Sequence, residues 1–103
     1  PLDLVGLGRL DFEAPDRATF ACLDLAYAAL RTGGTAPAIL NAANEEAVAA
    51  FLDARLPFLG IADVVAACLE RVAAGPADGL EGLLDSDLTA RRQAQRIIAA
   101  RAP

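Results

Sequence analysis

From Ile61 to Val72 the apolar residues Ile61, Val64, Val65, Cys68, Leu69 and Val72 recur at i, i+3, i+4, i+7, i+8 and i+11. A helix gathers that spacing onto one face, whereas a strand would need alternation at every second residue. Gly75-Pro76 then stops the run. One apolar stripe must be covered by another element, so the remaining periodicity decides the architecture.

Three more stripes of helical period follow from the same count. Phe20, Leu23, Tyr27 and Leu30 predict an inward face on a helix over residues 19–32, ended by Gly33-Gly34. Beyond Pro37, the residues Ala47, Val48, Phe51 and Leu52 predict a helix over 42–54, with Asn41 or Asn44 placed to cap it. After a connection with one turn at 80–84, Asp85 or Ser86 is expected to cap a last helix whose Leu88, Ala94, Ile97 and Ile98 face inward. The expected fold is all-α, a compact four-helix bundle-like domain over residues 19–103.

Residues 1–18 read differently. Leu10, Phe12 and Ala14 alternate with Asp11 and Glu13 before Pro15-Asp16 interrupts, which predicts an extended linker with one short strand. A lone strand finds no partner in this sequence, so its backbone groups call for water or a neighbour beyond it.

Composition narrows the function. The 103 residues suffice for one domain, and their 55% hydrophobic content is too high for a disordered tail. No apolar run is long enough for a membrane span, and no basic patch leads into an apolar stretch as in a targeting signal, so a cytoplasmic setting is expected. A net charge of −5 repels a phosphate backbone, which argues against nucleic-acid binding. All nine cations are arginine, with no lysine or histidine. That removes the Schiff-base lysine, the P-loop lysine, the histidine base and the histidine metal ligand together. Ser86, the only serine, therefore has no conventional base. Cys22 and Cys68 lack a second cysteine nearby for a zinc knuckle or redox pair, and both are expected as buried small hydrophobes.

Other motifs are weak. Gly6-Leu7-Gly8 is half of a dinucleotide fingerprint, with Asp11 where a third glycine belongs. Asp85-Ser86-Asp87 could offer carboxylates to a hard cation, but a helix cap explains the same residues. Glu45 and Glu46 are expected in the first turn of a helix, where the dipole favours acids, pointing about 100° apart and so not sharing one ligand. Arg91, Arg92, Arg96 and Arg101 are expected on a solvated face. The stretch Leu40-Asn41-Ala42-Ala43-Asn44-Glu45 is the least generic: small alanines admit a close backbone while amides hydrogen-bond it, so Asn41, Asn44 and Glu45 are candidates for an interdomain contact.

Pro1-Leu2-Asp3, Phe12-x-Ala14-Pro15-Asp16, Cys22-Leu23-x-Leu25-Ala26 and Leu40-Asn41-Ala42-Ala43-Asn44-Glu45-x-x-Val48-Ala49-Ala50-Phe51-Leu52 resemble the C-terminal end of the 1-deoxy-D-xylulose 5-phosphate reductoisomerase family. The resemblance implies a linker and C-terminal helical domain of a bacterial isoprenoid-pathway enzyme that uses NADPH and magnesium or manganese. It further implies that the other domains of a homodimeric enzyme are the partners, and that cofactor and metal are held there. No position in this sequence matches the family's metal or phosphate motifs, so no catalytic, cofactor or metal residue is assigned. A free-standing helical interaction module and a small independent enzyme are the competing readings, the latter disfavoured by the missing acid-base groups. The expected outcome of a thermal melt of this chain with added NADPH and manganese is no shift, because a ligand stabilises only a fold that binds it. A rise of several degrees would overturn the assignment of both groups to other domains.

Overall fold

Proline and glycine mark several of the helix boundaries. The protein is described by a computed structural model covering residues 14–101, with side chains from residue 21 onward. Helix α1 spans Ala14–Thr32, starting five residues ahead of the expected position 19. Pro15 falls in its first turn, where a missing N–H costs nothing, so the residue read as an interruption is a helix start. Gly33 and Gly34 end it with φ of 73° and 57°, and the Gly33 N–H closes on the Ala29 carbonyl at 2.9 Å. Of the expected short strand only Ala14 lies among the described residues, and it is helical. Gly6-Leu7-Gly8 also lies outside them.

Helix α2 spans Ala36–Leu52 and corrects the expected start at 42, because Pro37 occupies the N-terminal turn rather than blocking the helix. Asn41 and Asn44 are therefore interior residues and not caps. Thr35 stands at the N-cap without a side-chain cap bond. Instead its hydroxyl accepts the Gly75 N–H at 2.9 Å while its own N–H donates to the Gly75 carbonyl at 2.8 Å. This reciprocal pair ties the α1–α2 turn to the segment after the third helix. A Cβ on Gly34 would strike that same Gly75 carbonyl oxygen, so the approach requires glycine.

Helix α3 spans Gly60–Arg71, within a residue of the periodic reading at both ends. No capping side chain starts it; the Gly60 N–H bonds the Pro57 carbonyl at 2.9 Å and the Ile61 N–H that of Phe58 at 3.2 Å. Helix α4 spans Leu80–Arg101 without a break. The expected turn at 80–84 is its first turn, and Asp85 and Ser86 are interior residues rather than caps. Nothing between Leu83 and Arg101 is a glycine or proline, and Gly82 near the start is tolerated at about 1 kcal/mol.

Helices α2 and α3 form a central pair, and α1 and α4 each rest on that pair without meeting one another. Ala42, Ala43, Ala47 and Ala50 of α2 are fully buried, as are Ala90 and Ala94 of α4, with Ile39, Val64 and Cys68 the largest side chains closed off from solvent. Alanine brings helix axes close and surrenders no side-chain entropy.

That preference redraws three expected faces. On α1 the large residues Leu23, Tyr27 and Leu30 are 45%, 58% and 65% exposed, while Ala29 is buried and Cys22 and Leu25 pack against the core. On α4 Leu88 is exposed and Ala90 takes the inward place. Phe51 and Leu52 likewise sit at the surface, beyond the buried alanines of α2. Cys68 is buried as expected, whereas Cys22 is only half-buried, and both are free thiols.

Substituting Thr35 with valine keeps its shape but strands the Gly75 N–H. Urea denaturation is expected to register a loss of about 1–3 kcal/mol, with Thr35→Ser close to the parent. Equal midpoints for the valine and serine variants would show that the reciprocal pair carries no stability.

Candidate functional site

The helical period of α2 divides its distinctive stretch between two surfaces. Leu40, Asn44 and Val48, four residues apart, line one wall of an open cleft of about 440 Å³. Cys22, Leu23 and Ala26 of α1 form the second wall. Phe58, just before α3, and Ile61 and Val65 on its first half complete it. The described lining is apolar apart from the Asn44 amide and the Cys22 thiol. Phe58 is fixed in this rim by a tilted stack on Phe51, with ring centroids 5.5 Å apart.

Asn41 and Glu45 lie on the adjoining flank of α2, outside the described cleft lining and both exposed, with the Asn41 amide donating to Glu45 Oε2 at 3.5 Å. Here α4 crosses, and Arg91 joins the two helices. Its Nε donates to Asp87 Oδ1 at 2.6 Å, its Nη2 to Glu45 Oε1 at 2.7 Å and its Nη1 to Glu46 Oε2 at 3.1 Å. Gln95 Nε2 donates to the remaining oxygen, Glu46 Oε1, at 3.1 Å. The three candidates Asn41, Asn44 and Glu45 are thus not one cluster: Asn44 faces the cleft, while Glu45 is engaged within the domain.

Several expectations are corrected by this arrangement. Glu45 and Glu46 are not in a first turn, and they do share a ligand, because a guanidinium fork is wide enough to span adjacent carboxylates when it approaches from above. Arg91 is half-buried rather than solvated, with 29% of its side chain exposed. Asp87, read as part of a cap or cation site, is a partner of Arg91 one turn away. Arg92 and Arg96 are exposed as expected, and Arg101 reaches Asp63 at 3.5 Å on the surface. The Asp87–Arg91 spacing was readable in the sequence; the contacts from Arg91 across to α2 required the tertiary crossing.

Electrostatics fits a structural clamp better than a reactive centre. The hydrogen bonds to Asp87, then Glu45 and Glu46, push the Arg91 guanidinium above its ordinary pKa, so it stays charged throughout the accessible range. Burial pushes the Cys22 thiol up, and it pushes Cys68 up to about 11 against a smaller opposing pull from Arg71. Neither thiol is activated as a nucleophile. Among the described residues no group of three histidine, cysteine or acidic side chains is placed to hold a metal ion.

The chain matches the DXP reductoisomerase C-terminal domain family over residues 1–93. It is 59% identical over 98 residues to a 1-deoxy-D-xylulose 5-phosphate reductoisomerase of Dechloromonas aromatica, covering 95% of this chain and 25% of the relative. Proteins of the same name from Methylococcus capsulatus and Aromatoleum aromaticum are 57% and 56% identical over 94% and 98% of this chain, again with 25% of each relative covered. The chain therefore spans about a quarter of the length of these relatives.

Loss of the Arg91 clamp should loosen α4 from α2. For Arg91→Met the expected destabilisation in urea is about 1–2 kcal/mol, between an exposed and a buried ion pair, and it should shrink in high salt. Arg91→Lys should recover only part, since an ammonium cannot fork between the carboxylates. A full recovery by lysine would sink the geometric account.

Proposed function

Because this chain belongs to the DXP reductoisomerase C-terminal domain family, we propose that it is the helical domain that braces the catalytic part of such a reductoisomerase. The complete enzyme would convert 1-deoxy-D-xylulose 5-phosphate to 2-C-methyl-D-erythritol 4-phosphate with NADPH and a divalent ion, as a homodimer in the bacterial cytoplasm. The observation that carries the reading is the extent of the match. It takes in the described helices from α1 into α4 at high identity, while the convergent acids Glu45, Glu46 and Asp87 are engaged by Arg91 in holding α4 to α2.

The described side chains do not fit either implied group. A hard divalent cation requires clustered oxygens, and the one acidic cluster that converges, Asp87 with Glu45 and Glu46, is filled by Arg91. A nicotinamide pocket needs polar groups that fix its pyrophosphate and ribose, whereas the described cleft lining is nearly all apolar. No step of the reaction is assigned to this chain. Its part is positional: a rigid bundle limits how the neighbouring domains settle, and catalysis is sensitive to displacements of about 1 Å. No described helix is long and apolar enough to cross a membrane.

Among the proposed contacts Asn44 stands foremost, since its amide borders the open cleft, whereas Glu45 is held by Arg91 and Asn41 lies beside it. In the complete enzyme Asn44→Ala should lower the melting temperature or weaken domain coupling, read by calorimetry together with kcat and KM. Unchanged melting and kinetics would remove Asn44 from the contact. Turnover of the substrate by this chain alone would overturn the whole reading.

A further inference from the structure

The cleft and the outward row of α1 are left uncovered by the other described residues, and that is costly for apolar surface. Exposed apolar area costs about 25 cal/mol per Å² relative to burial, so a contiguous apolar patch of this kind marks a contact surface. Leu23 belongs to both features, lining the cleft and beginning the row that continues through Tyr27 and Leu30. We infer that this continuous surface is the seat of the polypeptide that precedes the domain in the complete reductoisomerase, which lays apolar side chains into the cleft beside Asn44. The inference rests on the proposed function and adds the surface through which the bracing acts.

Three observations favour that occupant. The relatives carry three quarters of their length outside the matched region, and the family is described as a C-terminal domain, so that length lies upstream. Polypeptide upstream of residue 1 reaches α1 through residues 1–13, which at full extension span at most about 45 Å. Ala14 lies about 12 Å from Cys22 along the helix at 1.5 Å per residue, so the cleft is within reach. Chemistry points the same way: every described lining side chain is uncharged, so a charged occupant would lose hydration without compensation. The volume of about 440 Å³ is enough to take large side chains rather than a stray water.

Cys22 and Cys68 supply the test. Cys22 lies half-buried in the cleft wall, and Cys68 is closed inside the core, so one reports on cover and the other on folding. Native labelling with iodoacetamide, followed by peptide mapping, is performed on this chain and on the complete enzyme. The expected result is that Cys22 labels about tenfold or more slowly in the complete enzyme, with Cys68 silent in both.

Equal Cys22 rates with Cys68 silent would overturn the inference. So would protection of Cys22 that grows with concentration in the isolated chain, which would assign the surface to a second copy. If Cys68 labels in the isolated chain, the decision passes to Tyr27→Glu with Leu30→Glu in the complete enzyme. Faster Cys22 labelling supports the seat, and an unchanged rate overturns it. Labelling unaffected by the missing domains, alongside an enzyme that still loses activity without this quarter, would remove the surface and keep the bracing role.

Discussion

The close approach of α2 to its neighbours is the constraint from which the rest follows. Ala42, Ala43, Ala47 and Ala50 put little side-chain volume between α2 and the helices it touches, so backbones come close and the neighbouring residues are positioned by contact. A larger residue at any of these places would force the helices apart or into strained rotamers, at about 1–3 kcal/mol. The hydrogen bonds of Arg91 depend on the same proximity. Its guanidinium meets Glu45 and Glu46 at 2.7 and 3.1 Å because α4 already lies against the alanine face.

Charge and apolar surface are thereby segregated. The convergent carboxylates of α2 and α4 share one guanidinium within the domain, and the described lining of the cleft carries no charge of its own. A chain with a net charge of −5 thus holds an uncharged cleft beside a charged flank. The two faces of α2, one joined to α4 by ion pairs and one bordering the cleft, arise from a single run of residues read at intervals of four.

The helical character and approximate extent of α3 were legible because its stripe is strict and its interior holds no glycine or proline beyond Gly60. Other boundaries misled for a common reason: Pro15 and Pro37 were read as stops, although a proline in a first turn is a start. Asp85 and Ser86 looked like caps because capping chemistry and interior surface chemistry use the same residues, and only the continuity of α4 separates them. The inward face of α1 was misread because large apolar residues attract the eye. Burial there belongs to Ala29, with Cys22 and Leu25 against the core, a choice set by how closely α2 and α3 approach. Of the candidate site, the unusual character of the Asn41–Glu45 stretch could be seen in the sequence. Its division between two surfaces, and the arrival of Arg91 from forty-six residues away, could not.

Helix α1 fully buries just one of its described side chains, Ala29, and meets only the central pair. Opening free energies in a folded chain follow the local density of buried contacts. Among the described residues α1 is therefore the helix with the fewest buried side chains, and the one whose opening exposes least core. The buried alanines that join α2 to α3 and α4 lie outside that helix, so local opening at the described end of α1 leaves the central packing closed.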